Sequence, residues 1–212
     1  MRVLVVKADT GRNFEEYCGN FVKYISPERQ ARVGRMRSER DRITSVTAEL
    51  TVRYVIISEL GIPNDEIEFE YGEHGKPFLK EREDFCFSFS HAGEYVVFVS
   101  SDEPVGTDIE NISRGNEKIA RRYFQEDEYR SIYVEHRRSF AEIWTSKEAY
   151  VKYLGTGLSQ GLDTFNVLDG STGCSFRHFS VPGGYEAAVC MKSDREINVE
   201  FTDAESIFSF FI

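Results

Sequence analysis

The stretch FAEIWTSKEAYVKYLG, residues 140–155, reads as one helix and its stop. Phe140, Ile143, Trp144, Val151 and Leu154 recur at helical spacing, and Gly155 ends the run. A second stretch, RYVIISELG at residues 53–61, has the same build. It closes a helical pattern that begins near Ser38, with Gly61 as the stop and Pro63 confirming it. Arg53 lies eight residues before Gly61, and Lys147 lies eight before Gly155. Many helices end in Leu-Gly, so this match alone does not establish a repeat.

Strand signals fill most of the remaining chain. Val3 to Ala8 is short, apolar and β-branched. Ser26-Pro27-Glu28 starts a helix, with Ser26 as N-cap and Pro27 in the first helical position. Ile67–Tyr71, Phe85–Ser90, Tyr95–Ser100 and Val105–Ile109 read as an antiparallel meander, with a turn at residues 73–77. A second helical region is expected from about Asn116 to Leu154. Strands follow at Phe165–Leu168, Cys174–Phe179 and Tyr185–Met191, and Ile207–Ile212 is expected as an edge strand or tail. The fold class is α/β of the α+β kind.

Composition narrows the function. The chain has 212 residues, 41% hydrophobic and 14% aromatic, which suits one large domain or two small ones. A net charge of −10 argues against a general nucleic-acid binder. Cys18, Cys86, Cys174 and Cys190 form no Cys-x-x-Cys pair, so free thiols in a cytoplasmic protein are expected. Val3 to Val6 is too short for a signal peptide, and no run approaches a membrane span. Against the acidic whole, residues 26–53 hold seven arginines and four acids. That is either a charged helix face or an anion anchor.

Two segments carry chemistry. In GTDIE, residues 106–110, Asp108 and Glu110 are two apart and share one face of a strand. Glu148 and Lys152 are four apart and share one face of a helix. Three carboxylates with nearby lysines suit Mg²⁺ carrying a phosphate-rich ligand. Spacing alone also allows a solvated strand edge and an ordinary surface ion pair. Gly106 would let a ligand approach the backbone closely. Ser90-His91 suggests nucleophilic catalysis, but neighbours on a strand face opposite ways and no acid partner is identifiable, so a hydrolase triad is rejected.

The order of these pieces is informative. Gly75-Lys76-Pro77, Phe89-Ser90-His91, Gly106–Glu110 and Trp144–Lys152 resemble the Sfp-type 4′-phosphopantetheinyl transferases across residues 75–157. Weaker similarity covers residues 26–53, and Tyr185–Cys190 is similar to the family's last strand. The resemblance implies a pseudo-twofold pair of similar α/β halves, residues 1–103 and 104–212. Each would hold a mainly antiparallel sheet against a long helix, with the site in the cleft between them.

The function so implied is transfer of 4′-phosphopantetheine from coenzyme A to a serine of an acyl- or peptidyl-carrier protein, releasing 3′,5′-ADP. By the same resemblance Asp108, Glu110 and Glu148 hold Mg²⁺, and Lys152 sits by the transferring phosphate. Glu148 or a metal-bound water takes the serine proton. Arg29, Arg32, Lys76, Pro77, Ser90, His91, Lys147 and Lys152 bind coenzyme A. Ala92 departs from the family, where a serine is frequent. The length favours a monomer over the short trimeric relatives. The rival is a non-catalytic coenzyme A or nucleotide-binding module that recruits a carrier protein, which leaves the three acids unexplained together.

Overall fold

The computed structural model describes all 212 residues, the side chain of Leu158 excepted. The chain runs β1 (Arg2–Lys7), α1 (Phe14–Tyr17), α2 (Pro27–Arg35), α3 (Glu39–Leu60), β2 (Phe69–Tyr71), β3 (Pro77–Leu79), β4 (Cys86–Ala92) and β5 (Tyr95–Ser101). It continues with β6 (Val105–Asn111), α4 (Glu117–Tyr123), α5 (Glu126–Tyr133), α6 (Phe140–Leu154), β7 (Ser175–Val181), β8 (Tyr185–Met191), β9 (Val199–Asp203) and α7 (Ala204–Ser209).

Alternation along the strands builds the layers. In β1, Leu4 and Val6 face a core formed with α3, while Val3 and Val5 face the opposite way. The sheet β4-β5-β1-β9 is therefore covered on both sides, which explains the unbroken apolar runs of β1 and β5. The second sheet, ordered β6-β8-β7, meets it face to face through Val105, Ile109, Val189 and Met191. Its other face takes α6, where Ala149 packs on Ala188 and Cys190. The order of layers is helix, sheet, sheet, helix. Strand pairing is antiparallel except between β1 and β9.

The helix ends follow local chemistry. Ser26, Ser38 and Ser139 each cap a helix N-terminus with the side-chain oxygen, and Ser139 forms a reciprocal box with Glu142. Gly61 (φ 68°) and Gly155 (φ 71°) end α3 and α6 in the left-handed conformation.

Three expectations change. The helical region from 116 to 154 is three helices, because Asn116, Gln125 and Ser139 each begin a new one. Phe165–Leu168 is not a strand. There Glu128 accepts the Val167 N–H at 2.8 Å and Lys147 takes the Phe165 carbonyl at 2.7 Å, so side chains replace ladder partners. The end of the chain is the helix α7, which buries Ala204, Ile207 and Phe208 at helical spacing beside Tyr17 and Phe21. The edge strand is β9, so residues 199–211 return to the sheet and core of the N-terminal part.

Candidate active site

Gly106 decides where the acids stand. A Cβ there would lie 2.0 Å from the Ala149 carbonyl oxygen and 2.4 Å from the Tyr153 nitrogen. The expectation that this glycine admits a ligand is corrected: it admits α6. The close approach lays β6 along the last turns of α6, so Asp108 and Glu110 meet Glu148 and Lys152. All three acids line one cavity of about 640 Å³.

Asp108 is 6% exposed and accepts two bonds on Oδ1. One comes from Lys152 Nζ at 2.7 Å, the other from Ser90 Oγ at 2.6 Å. Ser90 belongs to β4, the edge of the first sheet, so this contact joins the two sheets. Beside it, Ser88 Oγ accepts the Thr107 N–H at 3.2 Å. Glu110 Oε1 accepts the Asn111 N–H at 2.7 Å, and Oε2 stands 3.7 Å from Arg114. Burial pushes the Glu148 carboxyl up, the charges of Asp108 and Glu110 push it further, and Lys152 opposes them.

Whether these acids suit a metal ion follows from their chemistry. Among the described residues no three ligands stand at metal-holding spacing, since Glu110 is turned to Arg114 and its own chain. Yet the donors are all carboxylate oxygens, the kind that hard divalent cations take. The upward push on Glu148 comes first from burial, with the charges of Asp108 and Glu110 adding to it against Lys152. The donor set fits Mg²⁺.

A second cavity, of about 360 Å³, shares Ser90 and His91 with the first. Arg29, Arg32, Tyr71, Pro77, Phe89 and Lys152 line it. Arg29 is held by Glu49 at 3.2 Å, with its guanidinium 5.9 Å from the Phe89 ring centre. Glu49 also takes Arg53 Nε at 2.9 Å and both the N–H and the hydroxyl of Ser26. Burial holds the His91 imidazole below its usual range, and the nearby Lys152 and Arg29 add to that. The cavity gathers Arg29, Arg32 and Lys152, with Glu28 as its one carboxylate, beside an imidazole and aromatic walls, which suits an anionic ligand.

One expected ligand contact is corrected, and another lysine is found tied to the backbone. Lys147 is 0% exposed and its ammonium is saturated by Glu128 at 2.8 Å and the carbonyls of Leu162 and Phe165. It reaches neither a phosphate nor solvent. Lys76 Nζ donates to the Val105 and Tyr153 carbonyls at 3.1 and 3.3 Å, binding the β2–β3 turn to β6 and to the end of α6. Gly75 and Pro77 line the second cavity instead. Glu49, Glu128, Arg40 and Tyr185 were not anticipated. The Glu49–Arg53 spacing of four was the available signal for the first, Arg40 lay in the arginine-rich segment 26–53 and Tyr185 at the head of the last family-like strand, and nothing in the sequence pointed to Glu128.

Residues 104–199 match the family model of the 4′-phosphopantetheinyl transferase superfamily, and residues 14–103 match that of the N-terminal part of 4′-phosphopantetheinyl transferase. The 4′-phosphopantetheinyl transferase Sfp of Bacillus subtilis is 30% identical, over 80% of this chain and 83% of that protein. The chain belongs to the 4′-phosphopantetheinyl transferase superfamily. Psf-1 of Bacillus pumilus is 30% identical over 88% of this chain and 87% of the relative. Gsp of Aneurinibacillus migulanus is 39% identical over 66% and 60%. In this family member the boundary between the two matched segments falls between β5 and β6, the strands whose turn carries the chain from the first sheet to the second.

Proposed function

We propose that the chain transfers 4′-phosphopantetheine from coenzyme A to a serine hydroxyl of an acyl- or peptidyl-carrier protein, releasing 3′,5′-ADP. The observation that carries this is the junction of the two cavities. An acidic one and a basic one meet at Ser90 and His91, with Lys152 reaching from the basic cavity to Asp108. The reading divides the chain into halves 1–103 and 104–212 with the cleft between them, although residues 199–211 pack back on the first half.

The basic cavity takes the nucleotide end, with Arg29 and Arg32 as phosphate anchors and Pro77 beside the base. Phosphoryl transfer needs positioning and charge neutralisation above all. Lys152 supplies a fixed positive charge at the junction. Mg²⁺ held by Asp108, Glu110 and Glu148 would neutralise charge on the pyrophosphate when bound. Glu148, with its carboxyl pushed up, suits the acceptance of the serine proton. Ser90 and Lys152 orient Asp108.

The reading takes the protein as a monomer at work in the cytoplasm, without nucleic acid or membrane. Its pI near 5.0 supports the first of those exclusions, and no helix is long and apolar enough to cross a membrane. The test is incubation with coenzyme A, Mg²⁺ and an apo-carrier, followed by mass spectrometry of the carrier. A carrier gaining one phosphopantetheinyl group supports the reading. Binding of coenzyme A without that gain supports the non-catalytic module.

A further inference from the structure

A buried carboxylate stands behind the basic cavity and grips one residue of its wall at two points. Glu49, on α3, is 5% exposed and does not line that cavity. Its Oε2 accepts from Arg29 Nε at 3.2 Å and from the Ser26 hydroxyl at 3.0 Å. Ser26 Oγ in turn accepts the Arg29 N–H at 3.3 Å. One carboxylate oxygen therefore holds the guanidinium directly and the Arg29 main chain through the α2 cap. The other oxygen, Oε1, takes the Ser26 N–H at 2.5 Å and Arg53 Nε at 2.9 Å. Arg53 is itself fixed, since Nη1 donates to the Asn64 carbonyl at 3.0 Å and Asn64 Nδ2 donates to the Tyr24 carbonyl at 3.1 Å.

Arg29 has little freedom left. Nη1 reaches the Ser45 hydroxyl at 3.5 Å, and Phe89 lies along the guanidinium. Among the described residues, Nη2 has no hydrogen-bond partner. A planar fork gripped at Nε and Nη1 leaves its Nη2 edge to meet an anion in the cavity. Charge alone does not account for Glu49. A carboxylate 3.2 Å from a phosphate anchor weakens the positive field of that anchor. What it adds is direction. A free arginine gives up rotamer freedom when a ligand arrives, whereas one held beforehand does not.

We propose that Glu49 is a positioning residue for nucleotide recognition, aiming Arg29 at a phosphate of the ligand without touching the ligand itself. This rests on the function proposed above, in which Arg29 anchors a phosphate. Arg53 and Asn64 hold Glu49, Glu49 holds Arg29 and Ser26, and Arg29 meets the anion. The same carboxylate fixes the start of α2, the helix that also carries Arg32 on the cavity wall. A network that only stabilised the fold would lower the melting temperature and leave ligand binding alone.

The test uses the full chain with coenzyme A, Mg²⁺ and an apo-carrier. Coenzyme A KM, kcat and melting temperature are measured, and calorimetry with 3′,5′-ADP reads binding apart from turnover. Glu49→Met strands the Arg53 cation, so a second variant, Glu49→Met with Arg53→Met, removes the buried charges together and protects the fold. Both are also made in an Arg29→Met background. Thr51→Val is the control for a loosened α3, because Thr51 is buried on the same helix and its hydroxyl donates to the Thr47 carbonyl at 2.8 Å. Both Glu49 variants are expected to raise coenzyme A KM and the 3′,5′-ADP dissociation constant by about tenfold, the worth of one charge-assisted hydrogen bond. Their kcat should stay within about twofold of wild type, since Arg29 holds a non-reacting part of the substrate. In the Arg29→Met background neither should raise these constants further. A further rise there overturns the proposal, because Glu49 would then act by another route. An equal rise in Thr51→Val also overturns it. If wild type neither binds coenzyme A nor makes product, the proposed function falls; if wild type does both and the Glu49 variants match its KM, the positioning role alone falls.

Discussion

Ser90 and Asp108 are bonded across the seam between the two sheets, hydroxyl to carboxylate at 2.6 Å. The first lies on the edge strand β4 and the second on the edge strand β6, and no backbone ladder joins these strands. Asp108 is therefore positioned by both sheets at once. Lys152 completes the arrangement from α6, on the same oxygen.

Removing Ser90's hydroxyl should loosen Asp108 without removing its charge. Ser90→Ala is expected to lower kcat by about tenfold to a hundredfold, the range usual for groups that orient a metal-binding carboxylate. Asp108→Ala should lower it further and leave Lys152, 30% exposed, to be hydrated. Steady-state transfer rates check both. Equal rates for Ser90→Ala and wild type would remove Ser90 from the positioning scheme.

Lys147 and Glu128 make the opposite prediction, for stability rather than chemistry. Both side chains are 0% exposed. Removing one partner of such a pair leaves a buried charge alone, which costs about 3–5 kcal/mol. Lys147→Met should thus lower the free energy of unfolding by several times more than Lys152→Met. The double change Lys147→Met with Glu128→Gln should recover part of the loss. Urea denaturation measures all of these. A lysine that served a phosphate would instead raise coenzyme A KM and leave the midpoint in place.

The contrast between these residues shows what a sequence can convey. Helix caps were legible because they are local: Ser26 with Pro27, and Gly61 and Gly155, act within one turn of chain. The strands were legible for the same reason, but the meander was not: β2 pairs only with β3, β5 pairs with β4 and β1, and β6 belongs to the second sheet. The shared face of Asp108 and Glu110 follows from the period of a strand, and that of Glu148 and Lys152 from the period of a helix. Lys147 was misread because its fate depends on Glu128, 19 positions earlier on another helix. The bonds of Lys76 were not legible because its carbonyl partners lie far along the chain, on β6 and α6. The final segment was misread because apolar residues in a short run fit either period, and only Tyr17 and Phe21 show which face is buried.

His178 should make stability sensitive to acid. Burial holds its imidazole below the ordinary value of 6.5, with Glu142 opposing and Arg138 adding slightly. Nε2 meets Ser146 Oγ at 3.2 Å, and Nδ1 is buried with no partner. A base depressed in the folded state contributes stability above its unfolded value and loses it as pH falls through the folded one. The melting temperature of wild type should fall as pH drops below about 6.5. His178→Asn should flatten that part of the profile. An identical slope in both proteins would assign the acid sensitivity elsewhere.

Gly106→Ala tests the whole construction of the site with one methyl group. The added Cβ would fall 2.0 Å from a backbone oxygen and 2.4 Å from a backbone nitrogen of α6. Backbone cannot rotate aside as a side chain does, so β6 and α6 must separate. Overpacking of this kind costs about 1–3 kcal/mol, a loss that a folded chain can survive. Its effect on transfer should be larger. Lys152 and Glu148 ride on α6, Asp108 and Glu110 ride on β6, and the 2.7 Å contact between Lys152 and Asp108 has little slack. A shift near 1 Å can cost about a hundredfold in rate. The expected result is a folded protein with transfer reduced by about that factor and with nucleotide binding largely kept, since Arg29 and Arg32 stand on α2. Calorimetry with coenzyme A and carrier transfer rates separate the two effects. Wild-type transfer by Gly106→Ala would mean that the acids and Lys152 need not be held together for the reaction.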